Sequence, residues 1–226
     1  MILPPGIQPA SGNFIPHGIA ILLTSTTPSK LWLVSTALLL AVVASPAMAT
    51  GNAPLGQAKA PTRTAITVVM DDNYPPYVFR DADGTLTGYL VDSWALWEKK
   101  TGVHVNLLAT DWKTAQQRMM TRHADVIDTV FRTPERERTL DFTPPYEQIP
   151  VAIYAYSHIG GIIDLNTLRG FMVGVKAGDA CVDKLEAAGI RDLQPYASYA
   201  ALIDAAVAKK VRVFCMDEPP ANYLLY

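Results

Sequence analysis

Cysteine is nearly absent. Cys181 and Cys215 are the only two in 226 residues, too few to staple a disulfide-built mini-protein and enough for one disulfide at most. With four scattered histidines they make no metal-ligand spacing. A charge excess is missing too: 19 Lys and Arg against 21 Asp and Glu leave a net charge of −2, which gives no electrostatic case for a nucleic-acid partner or a polybasic membrane surface. There is no Gly-x-Ser-x-Gly elbow, no His-Glu-x-x-His, no Gly-x-x-x-x-Gly-Lys loop and no Gly-x-Gly-x-x-Gly after a strand, so the hydrolase and nucleotide-binding readings fail and no cofactor or metal is expected. No short-period repeat points to a solenoid or propeller. What is present, half hydrophobic residues with 17 Pro and 14 Gly, is a globular chain with the bulk for a large core.

The first fifty residues stand apart. The apolar run Leu31 to Ala44 follows Lys30 and ends at Ala47-Met48-Ala49, the order of a secretory signal peptide. The run is shorter than the ~20 residues a spanning helix needs, and Pro46 follows it closely. Residues 1–49 are therefore read as a signal peptide with an atypical N-terminal extension, Met1 to Ser29, to which no function is assigned. No cysteine lies near the cleavage site to accept a lipid, so the exported chain is expected to begin at Thr50 and be soluble outside the cytoplasm. Residues 50–65, rich in Gly, Ala and Pro, read as a flexible leader.

Beyond the leader the pattern alternates. Ile66 to Met70 reads as a buried strand, and Gly88 to Thr101 as a helix with Leu90, Trp94 and Trp97 on one face and Gly102 as its stop. Val103 to Leu108 predicts a strand, Asp111 to His123 a helix behind an acidic cap, and Asp125 to Val130 a strand. After the apolar stretch Pro150 to Tyr156 a second series follows: strand Phe171 to Val175, helix Asp179 to Ala188 closed by Gly189, helix Ser198 to Lys209, strand Val211 to Cys215. This grammar is α/β, in two lobes: 66–150, a hinge at 151–155, and 156–226. Ligands in such folds bind beyond the carboxyl ends of the strands. Those ends carry Asp71-Asp-Asn-Tyr-Pro-Pro-Tyr77, Phe131-Arg-Thr-Pro-Glu-Arg136, Lys176-Ala-Gly-Asp-Ala180 and Met216-Asp-Glu218. Aromatic faces, a guanidinium, a helix start and a carboxylate together suit a small zwitterion.

Tyr74-Pro-Pro-Tyr77, Gly84-Thr-Leu-Thr-Gly88, Thr133-Pro-Glu-Arg136 leading to Leu140-Asp-Phe-Thr-Pro-Pro-Tyr146, Val173-Gly-Val175 and Gly178-Asp179 occur in this order along one chain. In them the chain resembles the bacterial extracellular solute-binding proteins of family 3, including the branch that serves as sensor domains. The resemblance implies a fold of the type II periplasmic-binding-protein class, two α/β lobes with a ligand cleft between them. It implies a periplasmic location, a small-molecule ligand (an amino acid or related carboxylate), and an inner-membrane ABC permease or a signalling module as partner. Carried onto this sequence, it implies that Arg136 pairs with a ligand carboxylate in two parallel hydrogen bonds and that Asp217 accepts the ligand ammonium. Gly178, Asp179 and Ala180 supply a helix start, and Tyr74, Tyr77 and Phe131 line or wall the pocket. It also makes the strands near Cys181 and Cys215 sheet neighbours, which implies a disulfide between them.

Two departures accompany the match. The family pattern before Thr133 is a small residue, Gly, an aliphatic, then Ser or Thr, where this chain has Asp128-Thr-Val-Phe131, so Phe131 replaces the expected hydroxyl. Relatives also continue past the position of Tyr226 with a lobe-two strand and a return to the first lobe, so lobe two is expected to be incomplete and the lobes tied by one segment.

The competing readings are a surface ion pair of Arg136 with Glu135 or Glu137, a helix N-cap for Asp217 and core packing for Tyr74 and Tyr77. Cys181 in a first helical turn suits a thiolate, yet no His is close in sequence, and a structural disulfide is the better reading. All four histidines read as structural or solvated. An enzyme on the same fold, dehydratase-like or the binding half of a peptidoglycan-cleaving protein, would need a general acid or base, for which Glu218 and Asp179 are the only loose candidates. Binding, not catalysis, is the expectation, with a fragment that holds no stable ligand site as the remaining alternative.

Overall fold

A short β-branched strand, β3 (Ala65–Asp71), is the axis of the first lobe in the computed structural model, which describes residues 7–10, 17–20 and 63–225. The chain divides into a unit of residues 1–24 with 64–226 and a unit of 25–63. The signal-peptide core and most of the leader fall in the latter and lie outside the described residues.

Two strands precede β3 in sequence, β1 (Ile7–Pro9) and β2 (His17–Ala20). A meander follows it, β4 (Asn73–Tyr74), β5 (Val78–Arg80) and β6 (Leu86–Thr87). Helix α1 (Tyr89–Thr101) ends where Gly102 adopts φ 72°, as the stop signal requires. It buries Leu90 and Trp94, but Trp97 is 36% exposed, so the expected apolar face is narrower than three residues. Then come β7 (His104–Thr110) and α2 (Trp112–Met120), whose cap Asp111 accepts from the Thr114 amide at 3.0 Å. The strand expected over Asp125 to Val130 is broken into β8 (Val126–Ile127) and β9 (Val130–Phe131). The break has a cause: Asp128 turns into the interior, where Trp94 Nε1 donates to it at 2.7 Å and Tyr146 Oη at 2.8 Å, and Thr129 adopts φ 60°. Strand β3 pairs in parallel with β7 on one side and β8 on the other.

The chain leaves this lobe through β10 (Glu147–Ile149) and enters the next through β11 (Val151–Tyr156). Residues 151–155, read from sequence as a hinge, lie within a fully buried strand of the second-lobe sheet. The remaining elements are β12 (Val173–Lys176), α3 (Ala180–Ala187), β13 (Leu193–Tyr196), α4 (Tyr199–Val207), β14 (Val213–Asp217) and α5 (Glu218–Leu225). Asp179 and Ser198 cap α3 and α4 through the amides of Cys181 and Ala201. Strand β13 is not among the elements the sequence pattern predicts, whereas α5 follows Asp217 directly, in line with a helix starting there.

The second-lobe sheet runs β1-β11-β14-β12-β13, and β1 lies antiparallel on β11 with Ile7 opposite Tyr156. Strand β2 lies in the first lobe, antiparallel to both β9 and β10. The extension that sequence reading left without a role therefore places one strand in each lobe. The expectation that a single segment ties the lobes is corrected: β1 lies in the second-lobe sheet and β2 in the first lobe. Cys181 and Cys215 form a disulfide with Cα atoms 6.5 Å apart, which fixes the start of α3 to β14.

Candidate functional site

Four strand ends meet where the lobes face each other: β3 at Asp71, β9 at Phe131, β12 at Lys176 and β14 at Asp217. They line a small, partly open cleft of about 240 Å³, solvent-open space included, bounded by Asp71, Tyr74, Trp112, Thr129, Phe131, Arg136, Lys176, Asp179, Ala180 and Asp217. A larger concavity of about 1500 Å³ around Tyr156, His158 and Lys210 sits at the opposite ends of the second-lobe strands and gathers no carboxylate.

Asp217 is 1% exposed and accepts from Tyr74 Oη at 2.7 Å through Oδ2, across the interlobe gap. Its Oδ1 is buried and has no hydrogen-bond partner among the described residues. Burial, reinforced by the nearby Asp179 carboxylate and opposed by Lys176, pushes the Asp217 carboxyl up to about 7. Burial likewise drives the Tyr74 and Tyr199 hydroxyls well above their ordinary range, so both remain donors. Tyr199 Oη donates to Asp179 Oδ2 at 2.7 Å.

Arg136 turns inward from its charged run. Glu135 is taken by Arg138 and Glu137 by Arg132, so the surface pairs belong to the neighbouring arginines. Its Nη1 donates to the Phe131 carbonyl and Nη2 to the Gly178 carbonyl, both at 3.0 Å, and its guanidinium lies 5.8 Å from the Trp112 ring centre. Burial pulls the guanidinium down, against the pull of Asp179, Asp183 and Asp217; an arginine so placed stays charged.

Gly178 gives the site a backbone knot. Its carbonyl accepts from Trp112 Nε1 at 3.0 Å and Gln116 Nε2 at 3.1 Å as well as from Arg136. Its φ is +74°, and a Cβ there would come within 2.5 Å of Gln116 Nε2, so glycine permits both the turn and the approach of the lobes. With the Ala200 amide donating to Asn73 Oδ1 at 3.0 Å, these bonds hold the lobes closed on each other.

Of the sequence-derived residues, Tyr74, Phe131, Arg136, Asp179, Ala180 and Asp217 line one cavity, and Gly178 borders it through its carbonyl. Tyr77 does not line it. Tyr77 stacks behind Tyr74 with ring centres 5.2 Å apart and donates to Glu147 Oε1 at 2.9 Å. Asp71, Trp112, Thr129, Lys176 and Tyr199 were not singled out. Asp71 and Lys176 lie in the strand-end stretches that the fold rule highlights, so that rule held their signal; Trp112 and Tyr199 each open a helix, behind a cap residue. Glu218 is absent from the lining.

The profile of the bacterial extracellular solute-binding proteins, family 3, matches residues 66–209, and the chain belongs to that family. It is similar to the L-cystine-binding protein TcyJ of Escherichia coli, 31% identical over 122 residues, which is 53% of this chain and 46% of that protein. The chain spans about half the length of the curated relatives it matches. An ancestral arginine-binding protein bound to glutamine shares 25% identity at a TM-score of 0.63, covering 71% of this chain and 72% of that one. A histidine kinase sensor domain with similarity to periplasmic binding proteins reaches 25% identity and a TM-score of 0.67, covering 72% of each. The fold is the type II periplasmic-binding-protein fold, with two α/β lobes.

Proposed function

We propose that this chain binds a small α-amino acid or a related carboxylate between its lobes, outside the cytoplasm, as the substrate-binding component of an uptake system or as a sensor domain. The observation that carries the reading is the buried Asp217 Oδ1, which no described residue partners, in the same cleft that the Arg136 guanidinium lines. An unsatisfied buried carboxylate oxygen is costly unless a donor from elsewhere meets it, and a ligand ammonium is such a donor. The Arg136 fork offers planar, charge-assisted hydrogen bonds to the carboxylate at the other end of the same molecule. Relatives that bind cystine and glutamine, and a kinase sensor domain, agree with that class of ligand and with either setting. Binding without turnover is proposed: of the two acid or base candidates that the sequence offers, Glu218 is absent from the lining and Asp179 is spent on capping α3 and on Tyr199. Export is assigned to the segment from Lys30 to Ala49, and the periplasm is the proposed compartment.

Calorimetric titration of the purified chain with a panel of amino and organic acids tests the reading. The wild type is expected to bind at least one member. Arg136→Lys keeps the charge but loses the fork, and is expected to weaken binding by at least ~1.5 kcal/mol, the order of one charge-assisted bond, with the fold retained. Equal affinity in the variant would defeat the anchor role, since an exposed ion pair contributes nothing to binding.

A further inference from the structure

The last residue of β12 is a lysine where the three before it are buried valines and glycine. Lys176 is 3% exposed, and a buried ammonium survives only with partners. Its partners come from both lobes. Nζ lies 2.7 Å from Asp71 Oδ2 and 3.9 Å from Asp179 Oδ2. It stands 3.9 Å from the Tyr199 ring centre, 5.0 Å from that of Tyr74 and 5.8 Å from that of Trp112. Two carboxylates and three aromatic faces around one ammonium are the groups a protein uses to recognise a cationic ligand. Here a side chain of the protein itself fills the cage.

We infer that Lys176 sets the specificity of the cleft by occupying its cation site from within, so that the ligand is a small amino acid with no cationic side chain. This rests on the amino-acid-binding reading above. The charges support it: Asp71 and Asp179 are engaged by Lys176, and only Asp217 is left to meet an α-ammonium. A second cation, on an arginine, lysine or ornithine side chain, would find no free carboxylate among the described lining residues. It would have to evict Lys176 and leave a buried ammonium without partners. Volume acts in the same direction, since the buried lysine fills space in the cleft that a long side chain would need.

Three measurements on the whole chain test this. In the first, the wild type is titrated with L-alanine, L-serine and L-glutamine against L-arginine, L-lysine and L-ornithine. At least 100-fold preference for an uncharged side chain is expected; a basic amino acid bound within tenfold of the best uncharged one overturns the inference. In the second, Lys176→Ala opens the cage and is expected to raise affinity for L-lysine or L-arginine at least tenfold; a folded variant without that gain overturns it. In the third, thermal melts with n-propylammonium, which can refill the cage, should raise the melting temperature of Lys176→Ala and leave the wild type unmoved; equal shifts overturn it. If Lys176→Ala does not fold, the paired neutral variant Lys176→Met with Asp71→Asn replaces it and should narrow the uncharged-to-basic preference at least tenfold; an unchanged ratio overturns the inference. Should the wild type bind no amino acid, the proposed function fails. The cage is then judged alone, on propylammonium and on whether Lys176→Ala gains a basic ligand.

Discussion

Arg136 and Lys176 bring the two cations of one cleft from opposite lobes, and the groups around them divide the labour of the site. Arg136 leans on two backbone carbonyls and, among the described residues, on no carboxylate within hydrogen-bonding distance, so its charge is held in place without being neutralised. Lys176 is clasped by Asp71 and faces Asp179. Burial pulls its ammonium down, but the carboxylates of Asp71, Asp179 and Asp217 outweigh that and hold it above its ordinary value. A cation that is positioned and still uncompensated attracts a ligand anion. A cation that is fully compensated repels other cations and joins the lobes.

The sharpest way to break this contrast is to remove the clasp. Asp71→Asn leaves Lys176 buried against one more distant carboxylate, and losing one partner of a buried pair costs ~3–5 kcal/mol. Urea denaturation should show a loss of that size, whereas Arg136→Lys, which keeps its charge but gives up hydrogen bonds to the Phe131 and Gly178 carbonyls, should cost less, ~1–2 kcal/mol. Equal losses in the two variants would mean that the cations are held alike.

A control remote from the cleft sharpens the comparison. Ile7 is buried where β1 covers the edge of β11, so Ile7→Asp should lower the stability of the uncut chain by about 2 kcal/mol through lost apolar burial and an unpaired carboxylate. The difference between Asp71→Asn and Arg136→Lys should survive in that background. The same substitution reports on processing. Exported material that begins at Thr50 has lost both β1 and β2 and must be indifferent to residue 7, and N-terminal sequencing identifies which form is being melted.

Much of the site was legible because strand ends are legible. Apolar β-branched runs locate the strands, and the residue after each run falls at the cleft, which brought Tyr74, Phe131, Arg136, Asp179 and Asp217 forward. Lys176 stood in the same stretch but was hidden by type: a lysine in sequence reads as a solvated charge, and only the facing Asp71, 105 residues away, makes it an interior one. Trp112 and Tyr199 were hidden for a related reason, since a helix-opening aromatic is core packing until the opposite lobe closes on it. The roles of β1 and β2 could not be read at all. Three or four residues carry too little periodicity to signal a strand, and their partners β9, β10 and β11 lie more than 100 residues away.

Asp217 completes the contrast because its charge is conditional. Its carboxyl is pushed up to about 7, chiefly by burial and then by Asp179. A raised carboxyl pKa means that the folded state holds the proton more tightly than the unfolded one. Stability from this group is therefore greatest below the unfolded value near ~4 and declines as pH rises to about 7. Ligand binding should move the opposite way, since an ammonium needs the ionised form. Affinity for an α-amino acid is expected to fall about tenfold from pH 8 to pH 6, one unit below the titration point, while a carboxylate lacking the ammonium is unaffected. Asp217→Asn should flatten both profiles. A pH-independent affinity in the wild type would remove Asp217 from the ammonium end.

The smallest effect concerns the approach to the Arg136 end. Thr129 adopts φ 60°, a left-handed conformation that is strained for a β-branched residue, at the position where the family pattern carries glycine. Its amide donates to Asp128 Oδ1 at 2.6 Å and its hydroxyl to the Asp128 carbonyl at 2.6 Å. The side chain also lines the cavity. Thr129→Gly relieves the strain, which is worth ~1 kcal/mol at such a position, but frees the unfolded chain by a comparable amount. The net change in stability should stay within ~0.5 kcal/mol, as the two terms nearly cancel. Binding separates the two roles that Thr129 could have. If the threonine is there only to turn the chain, glycine keeps the ligand affinity. If its methyl and hydroxyl shape the wall beside Phe131, Thr129→Gly enlarges the cavity and shifts preference toward bulkier amino acids, while Lys176 continues to exclude the basic ones. A variant that instead admitted L-arginine would place the exclusion at the Arg136 end and reverse the assignment of the two cations.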